Sequence, residues 1–278
     1  MATINSPIRK FVKPLLFKIL GKRGYVRFQT IGKIRDINQQ LIDESEMDLY
    51  PFFLEDDSVS IDVGANYAYH THRLATLCKK GKVYAFEPIP FTFQVCKRIV
   101  KHFMLKNVEL FQYGVGERNE KISFQLPLQD FGVISAGQSH MGGRNNELEG
   151  KEKHYKFSSY EEVECEVVSI DTMKLNLNKL DFVKMDIEGA EYYALKGMIK
   201  TLKQFKPIVL LEINPFFLKG FGIEESSLRD LIEELGYLTY TYKIATKKLI
   251  RYESDYIEDN YYLIHNTKLD LYRHLIES

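Results

Sequence analysis

The chain has 278 residues, of which 45% are hydrophobic and 27% are charged, the balance of a folded globular protein rather than of a disordered or collagen-like one. The charges of the 38 basic and 38 acidic side chains cancel. A formal net charge of zero argues against binding of nucleic acid through the overall charge of the chain. Three widely spaced cysteines, without a CxxC pair or a Cys/His cluster, argue against a structural zinc site and favour a reducing, cytoplasmic location. We also expect neither a signal peptide nor a membrane span, since no apolar run reaches roughly 20 residues.

The first 35 residues are basic and contain no Asp or Glu. Apolar residues recur at positions 8, 11, 12, 15, 16 and 19, which is the spacing of one helix face, although Pro14 interrupts it. Residues 1–49 are therefore predicted to form a basic, amphipathic helical extension. Two interpretations stay open: the helix packs on the main domain, or it contacts an anionic membrane surface through residues 8–20.

Residues 50–278 are predicted to form one α/β domain, because short apolar strands alternate with helices. An insertion at about 122–170 breaks this alternation with two strands that flank a polar, glycine-rich segment. This pattern predicts a hairpin with a flap over the site, or a disordered loop. The predicted strands of the main sheet are 59–63, 83–86, 108–113, 182–185, 208–213, 237–242 and 261–264, and the helices are 69–79, 91–104, 190–202 and 225–235.

Polar residues stand at the ends of the predicted strands, where open α/β sheets bind their ligands. Asp62, Gly64 and Asn66 follow the first strand. Glu87 follows the second, about 20 residues beyond the glycine, where a carboxylate accepts hydrogen bonds from ribose hydroxyls. The turn after the first strand has a single glycine, which is too few for a pyrophosphate-binding loop, and the sequence contains no P-loop motif. These observations favour a nucleoside ligand without phosphates, such as S-adenosylmethionine. The later strand ends carry Tyr113, Gly114, Asp186, Glu188 and Glu212.

Three runs together resemble those of the FkbM-type S-adenosylmethionine-dependent methyltransferases: D-V-G-A-N at 62–66, F-E-P at 86–88 and V-K-M-D-I-E-G-A-E at 183–191. The resemblance covers about residues 50–265. It implies a class I methyltransferase fold, a Rossmann-like, seven-stranded, mostly parallel sheet with helices on both faces and an antiparallel last strand. It also implies methyl transfer to a hydroxyl of a sugar, a glycan or a related small molecule. A lipid-linked glycan would suit an N-terminus at the membrane.

The resemblance also implies which residues contact the cofactor. Asp186 is counted among them as well as among the catalytic candidates. Ala68 stands where members of the family commonly have glycine; a negative φ would accommodate it, but it tightens the turn and keeps a non-catalytic binding module open as an alternative. The other implied cofactor contacts are Asp62, Gly64, Asn66, Glu87, Tyr113 and Gly114.

A sugar hydroxyl is a poor nucleophile and needs a general base or a divalent metal. Asp186 is the leading candidate for either role, followed by Glu188 and Glu212, although no dedicated metal site is predicted. Capping of the next helix is the alternative role for Asp186 and Glu188. His140 on the flap and His70 are further candidate bases. A nucleic-acid methyltransferase is the alternative activity, disfavoured because no aromatic Asp/Asn-Pro-Pro-Tyr motif follows the fourth strand.

Overall fold

The computed structural model describes residues 7–42, 44–129, 133–134, 140–142 and 159–277, with side chains for 19–42, 44–126, 142 and 161–277. An eight-stranded sheet forms the centre of the fold. Its strands are β1 Val59–Val63, β2 Lys82–Phe86, β3 Val108–Phe111, β9 Phe182–Met185, β10 Ile208–Ile213, β11 Tyr237–Lys243, β12 Lys248–Arg251 and β13 Asp259–His265. Their order across the sheet is β12-β11-β13-β10-β9-β1-β2-β3.

The five strands from β10 to β3 run parallel, whereas β13 is antiparallel to β10 and to β11. Consecutive residues of these strands point alternately to the two faces of the sheet, and apolar clusters cover both faces. In β9, Val183 and Met185 enter one core and Phe182 the other, so the strand is buried on both faces. The predicted α/β class and antiparallel last strand are thus confirmed.

Helices cover both faces of the sheet. They are α1 Pro7–Asn38, α2 Tyr50–Phe53, α3 Tyr69–Leu77, α4 Pro90–His102, α5 Glu191–Lys196, α6 Ile199–Phe205, α7 Pro215–Gly220, α8 Glu225–Glu234 and α9 Leu269–Tyr272, with short 3-10 turns at Ser45–Leu49, Asn266–Lys268 and Arg273–Leu275. A helix suited to crossing a bilayer is absent from the described residues.

Two predictions about the main domain were wrong in detail. The sheet has eight strands rather than seven, because β12 adds a hairpin to the edge strand β11. The single helix predicted over 190–202 is two helices that are separated at Gly197. The carbonyl of Gly197 accepts the amide of Asp171, and the Asp171 carboxylate accepts the amides of Lys200 and Thr201, so these bonds replace helical ones at the break.

The predicted insertion contains a second, smaller sheet. Its two long strands, β5 Glu120–Gln129 and β8 Ser159–Val168, pair antiparallel as the alternating pattern predicted. The short strands β4 Gly114–Val115, β6 Val133–Ile134 and β7 His140–Met141 flank this pair, with β4 parallel to β8. The predicted flap falls largely on residues 130–158, most of which lie outside the described residues.

The helix α1 lies within the predicted extension 1–49 and is interrupted at Gly21, whose backbone is not helical. Its C-terminal half packs on α4, where the rings of Tyr25 and Phe91 lie 5.9 Å apart. Tyr25, Val26 and Ile37 are buried in this contact. The side chains of 8–18, most of the stretch predicted to contact a membrane, lie outside the described residues.

Candidate active site

The strand register brings the predicted site residues into one row. Val63 of β1 pairs with Phe86 of β2 and with Met185 of β9, and Met185 pairs with Leu211 of β10. The residues that follow these four are Glu87, Gly64, Asp186 and Glu212. They therefore line the carboxyl edge of four neighbouring parallel strands, the position at which such sheets bind ligands.

Two side-chain oxygens, one near the end of β1 and one in the turn after it, have no hydrogen-bond partner among the described residues. Asp62 is fully buried; its Oδ2 accepts a 2.5 Å hydrogen bond from Thr71 Oγ1, but its Oδ1 has no partner. The buried Oδ1 of Asn66 also lacks a partner. Leaving a buried acceptor unpaired costs about 1–3 kcal/mol. The turn is therefore suited to a ligand that brings hydrogen-bond donors, and the ammonium group of S-adenosylmethionine is such a donor.

Gly64 is required for the close approach of β1 to β9. Its φ is +80°, and a Cβ there would lie 2.1 Å from the backbone oxygen of Asp186. Its amide and that of Ala65 donate to the carbonyl of Phe86. Packing within the protein thus explains why this residue is glycine, and its predicted contact with the cofactor stays a prediction.

Ala68 does not have the negative φ that would accommodate an alanine in the turn. Its φ is +60° and its ψ is 25°, the left-handed helical region, and its side chain is fully buried. The left-handed conformation costs an L-residue about 1–2 kcal/mol, because Cβ crowds the following carbonyl. The turn after β1 is thus strained at the position where the family commonly has glycine.

Glu87 is buried and organises the turn after β2. Its Oε2 accepts the amide of Asn66 at 2.8 Å, and its Oε1 accepts the amide of Ile89 and the hydroxyl of Thr92. Burial raises the pKa of Glu87 to about 7, although these hydrogen bonds lower it. The carboxyl group thus bridges the turns after β1 and β2; Oε2 has one hydrogen-bonded donor and retains capacity for a ligand hydroxyl.

A cleft opens beside this row and extends toward the turn after β3. Gly64, Pro88, Tyr113, Gly114 and Ile187 contribute to its lining. A Cβ on Gly114 would lie 3.1 Å from the side chain of Val167, so the small residue lets the insertion pack closely here. The structure therefore brings Tyr113 and Gly114 to the same cleft as the turn after β1.

Asp186 and Glu212 form a carboxyl pair beside a buried lysine. The Lys184 ammonium lies 2.9 Å from Asp186 Oδ2, and the lysine side chain is only 2% exposed compared with 32% for Asp186. The negative charge of Asp186, with burial and the hydrogen bond between the carboxyl groups, raises the pKa of Glu212 to about 11. Burial opposes ionisation of Asp186, but Lys184 and Glu212 hold its pKa well below the usual range. At neutral pH the pair therefore holds one proton, on Glu212.

Neither Asp186 nor Glu188 caps α5, because the N-cap of this helix is Ala190 and has no side-chain hydrogen bond. Glu191 Oε1 accepts the amides of Ile187 at 3.0 Å and Gly189 at 3.2 Å, and so closes the turn after β9. Its buried Oε2 has no partner among the described residues. Glu188 has a φ of +57° within this turn. Glu191 ends the V-K-M-D-I-E-G-A-E run but was not among the predicted site residues.

The two candidate histidine bases lie in different surroundings. His70 is buried, with Nδ1 2.6 Å from the Tyr50 hydroxyl and Nε2 3.8 Å from Glu44 Oε2, and burial lowers its pKa. Glu44, Glu46 and His70 each offer one ligand atom within 4.8 Å of the others, a spacing that could hold a metal ion. No sequence motif indicated this cluster. His140 pairs with Gln125 through the backbone of β7, and its side chain lies outside the described residues.

Comparison with known proteins gives the same assignment as the motifs. A family model described as the Methyltransferase FkbM domain matches residues 62–239. Methyltransferase 1 of Beauveria bassiana is 23% identical over 174 residues, which cover 60% of this chain and 68% of that protein. The hexuronic acid methyltransferase AglP of Haloferax volcanii is 26% identical over 234 residues, which cover 83% of this chain and 84% of that protein.

Among solved structures, Methyltransferase FkbM from Methylobacillus flagellatus KT is similar with 16% identity and a TM-score of 0.47. The match covers 85% of this chain and spans 59% of the length of that one. The family model, in contrast, covers well over half of this chain and includes the whole row of strand ends. The protein therefore belongs to the FkbM methyltransferase family.

Proposed function

We propose that this protein transfers a methyl group from S-adenosylmethionine to a hydroxyl of a sugar or glycan. The observation that carries the proposal is the row of strand ends. In this row, Gly64, Asp186 and Glu212 lie side by side, next to the unpaired Oδ1 of Asp62. The similarity to a hexuronic acid methyltransferase favours a sugar acceptor. The three free, buried cysteines are compatible with a reducing compartment such as the cytoplasm.

The cofactor would be held by the residues around the turn after β1. Asp62 Oδ1 and Asn66 Oδ1 would accept from its amino-acid end, and Glu87 would accept from a ribose hydroxyl. Tyr113 and Gly114 would lie along the base, in the cleft beside Gly64. When bound, S-adenosylmethionine supplies a methyl group attached to a positively charged sulfonium.

Asp186 would accept the proton of the acceptor hydroxyl. It is the member of the carboxyl pair that is ionised at neutral pH, and it is partly exposed whereas Lys184 is not. A weakly basic carboxylate suffices, because an oxygen that gains a methyl group before losing its proton becomes strongly acidic. Lys184 and the proton on Glu212 fix the position and charge of Asp186. Glu188 and His140 remain candidate catalytic groups in the same proposal.

Two other functions compete with this proposal. A nucleic-acid methyltransferase is disfavoured by the zero net charge of the chain. A non-catalytic binding module is favoured by one observation, the left-handed backbone of Ala68 at the cofactor turn. The acceptor in the main proposal includes lipid-linked glycans, reached through the predicted membrane contact of residues 8–20.

Titration calorimetry with S-adenosylmethionine, followed by transfer of a labelled methyl group to uronic acids and neutral sugars, tests the proposal. We expect micromolar binding that Asp62→Asn and Glu87→Gln each weaken at least tenfold. Asp186→Asn should bind the cofactor but lose methyl transfer, whereas the exposed control Asp230→Asn should bind the cofactor and transfer the methyl group like the parent. Cofactor binding without transfer to any acceptor would support the binding module. Absence of binding at millimolar ligand, in the parent and in Ala68→Gly, would refute the proposal.

A further inference from the structure

The C-terminal half of α1 carries large apolar side chains on the face that points away from the domain. Phe28 is 43% exposed and Ile31 is 69% exposed. The opposite face of the same helix packs on the domain, because Tyr25 and Val26 are buried against α4. The helix is therefore apolar on two sides, and packing within the domain explains only one of them.

Arginines surround this exposed apolar pair. At 3.6 residues per turn, positions 27, 28, 31 and 35 fall within about 100° of the helix circumference. Arg27 and Arg35 are exposed like the apolar pair between them. No acidic residue occurs before Asp36, and Asp36 points inward, where it accepts a 2.9 Å hydrogen bond from the hydroxyl of Tyr69. The outer face, defined here as Arg27, Phe28, Ile31 and Arg35, is thus purely basic and apolar.

We propose that this outer face binds an anionic lipid surface, with Phe28 and Ile31 inserted among the acyl chains and the arginines at the lipid phosphates. Large apolar side chains between arginines match a bilayer interface, which offers hydrocarbon and negative charge within a few ångströms of each other. A nucleic-acid backbone would satisfy the arginines but leave Ile31 without a partner. A second copy of the same face would bring the arginines toward each other.

The inner side of α1 lies against the turn after β1. The Lys33 ammonium stands 4.5 Å from the centroid of the Tyr67 ring and 5.3 Å from that of Tyr69. A lipid surface bound to the outer face would therefore lie one helix diameter from the candidate cofactor turn. The binding itself does not depend on the proposed methyl transfer, and its test does not measure activity.

The test is sedimentation of the full chain with vesicles of phosphatidylcholine alone, or of phosphatidylcholine mixed with phosphatidylglycerol. We expect binding only to the mixed vesicles. Arg27→Gln/Arg35→Gln should weaken it about thirtyfold, since each basic residue near an anionic surface contributes about one factor of five to six. Phe28→Ser/Ile31→Ser should weaken it at least tenfold. Ile257→Ser/Leu271→Ser removes side chains that are 61% and 65% exposed elsewhere and should bind like the parent.

Each other outcome overturns the proposal. If both outer-face variants bind mixed vesicles like the parent, another part of the chain makes the contact. If the control weakens binding equally, the effect is not specific to α1. If the parent binds neither vesicle, but forms a dimer that Phe28→Ser/Ile31→Ser dissociates, the occupant is a second copy. If it binds only an oligonucleotide, the partner is a nucleic acid. Circular dichroism of every variant serves as the control for folding, and each spectrum should match that of the parent.

Discussion

Replacing Glu191 by Gln should change how the stability of the protein depends on pH. Burial raises the pKa of Glu191 to about 7, although the hydrogen bonds from the amides of Ile187 and Gly189 lower it. The carboxyl group is almost fully buried, so solvent does not screen this effect. A carboxyl whose pKa is higher in the folded than in the unfolded state stabilises the fold when it is protonated. That contribution is complete below the unfolded pKa of 4.5 and is lost as the pH rises through about 7.

The size of the effect follows from the two pKa values. One group that titrates at about 7 when folded and at about 4.5 when unfolded contributes about 2.5 kcal/mol more at pH 5 than at pH 8.5. Glutamine keeps an acceptor for the two amides but does not titrate. Between these pH values, the free energy of unfolding of the parent should therefore fall by about 2.5 kcal/mol more than that of Glu191→Gln.

Urea unfolding of both proteins at pH 5, 6, 7 and 8.5 measures this difference. Glu87, whose pKa is also raised to about 7, titrates in both proteins and cancels. Glu233→Gln, at an exposed position of α8, is the matched control and should follow the parent at every pH. A gap between the parent and Glu191→Gln that stays constant from pH 5 to 8.5 would refute the reasoning, because the group would then have the same pKa in both states.

Two further substitutions test the packing of the row. Lys184→Met should lower the free energy of unfolding by about 3 kcal/mol at pH 7, since it leaves the carboxylate of Asp186 without its buried partner; an unchanged urea midpoint would show that solvent already compensates Asp186. Gly64→Ala should cost about 3 kcal/mol or more, because its Cβ would lie 2.1 Å from a backbone oxygen. Gly222→Ala has a similar φ of +71° with no atom within 4 Å of the added Cβ, so it should cost only about 1 kcal/mol. Equal losses in the two alanine variants would refute the packing argument for Gly64.

The sequence was sufficient to predict the strand ends, because a parallel sheet turns local patterns into a three-dimensional row. Once β1, β9 and β10 are recognised as buried strands, their register places Gly64, Asp186 and Glu212 side by side. The edge strand β12, Lys248–Arg251, was missed because an exposed edge needs no continuous apolar run. The break at Gly197 was missed because Asp171, whose amide donates to the Gly197 carbonyl, is distant in sequence.

The cluster of Glu44, Glu46 and His70 could not be predicted from local patterns either. Its members come from the segment before β1 and from α3, and they are brought together by the packing of Tyr50 beneath His70. The same limit applies to protonation. The sequence shows acidic residues after β9 and β10, but only their side-by-side arrangement makes one ionised and the other neutral.

The charge arrangement of the row separates two roles that the motifs leave together. The carboxylate of Asp186 is compensated from within the protein, by the Lys184 ammonium and by the proton on Glu212. Asp62, in contrast, receives one hydrogen bond from Thr71 and keeps a buried oxygen without a partner among the described residues. A ligand that brings hydrogen-bond donors therefore gains most binding free energy at Asp62. A new donor beside Asp186 stabilises that carboxylate little, until the acceptor hydroxyl releases its proton there. For this reason Asp62→Asn should act on cofactor affinity and Asp186→Asn on transfer, and loss of cofactor binding in Asp186→Asn would contradict this division.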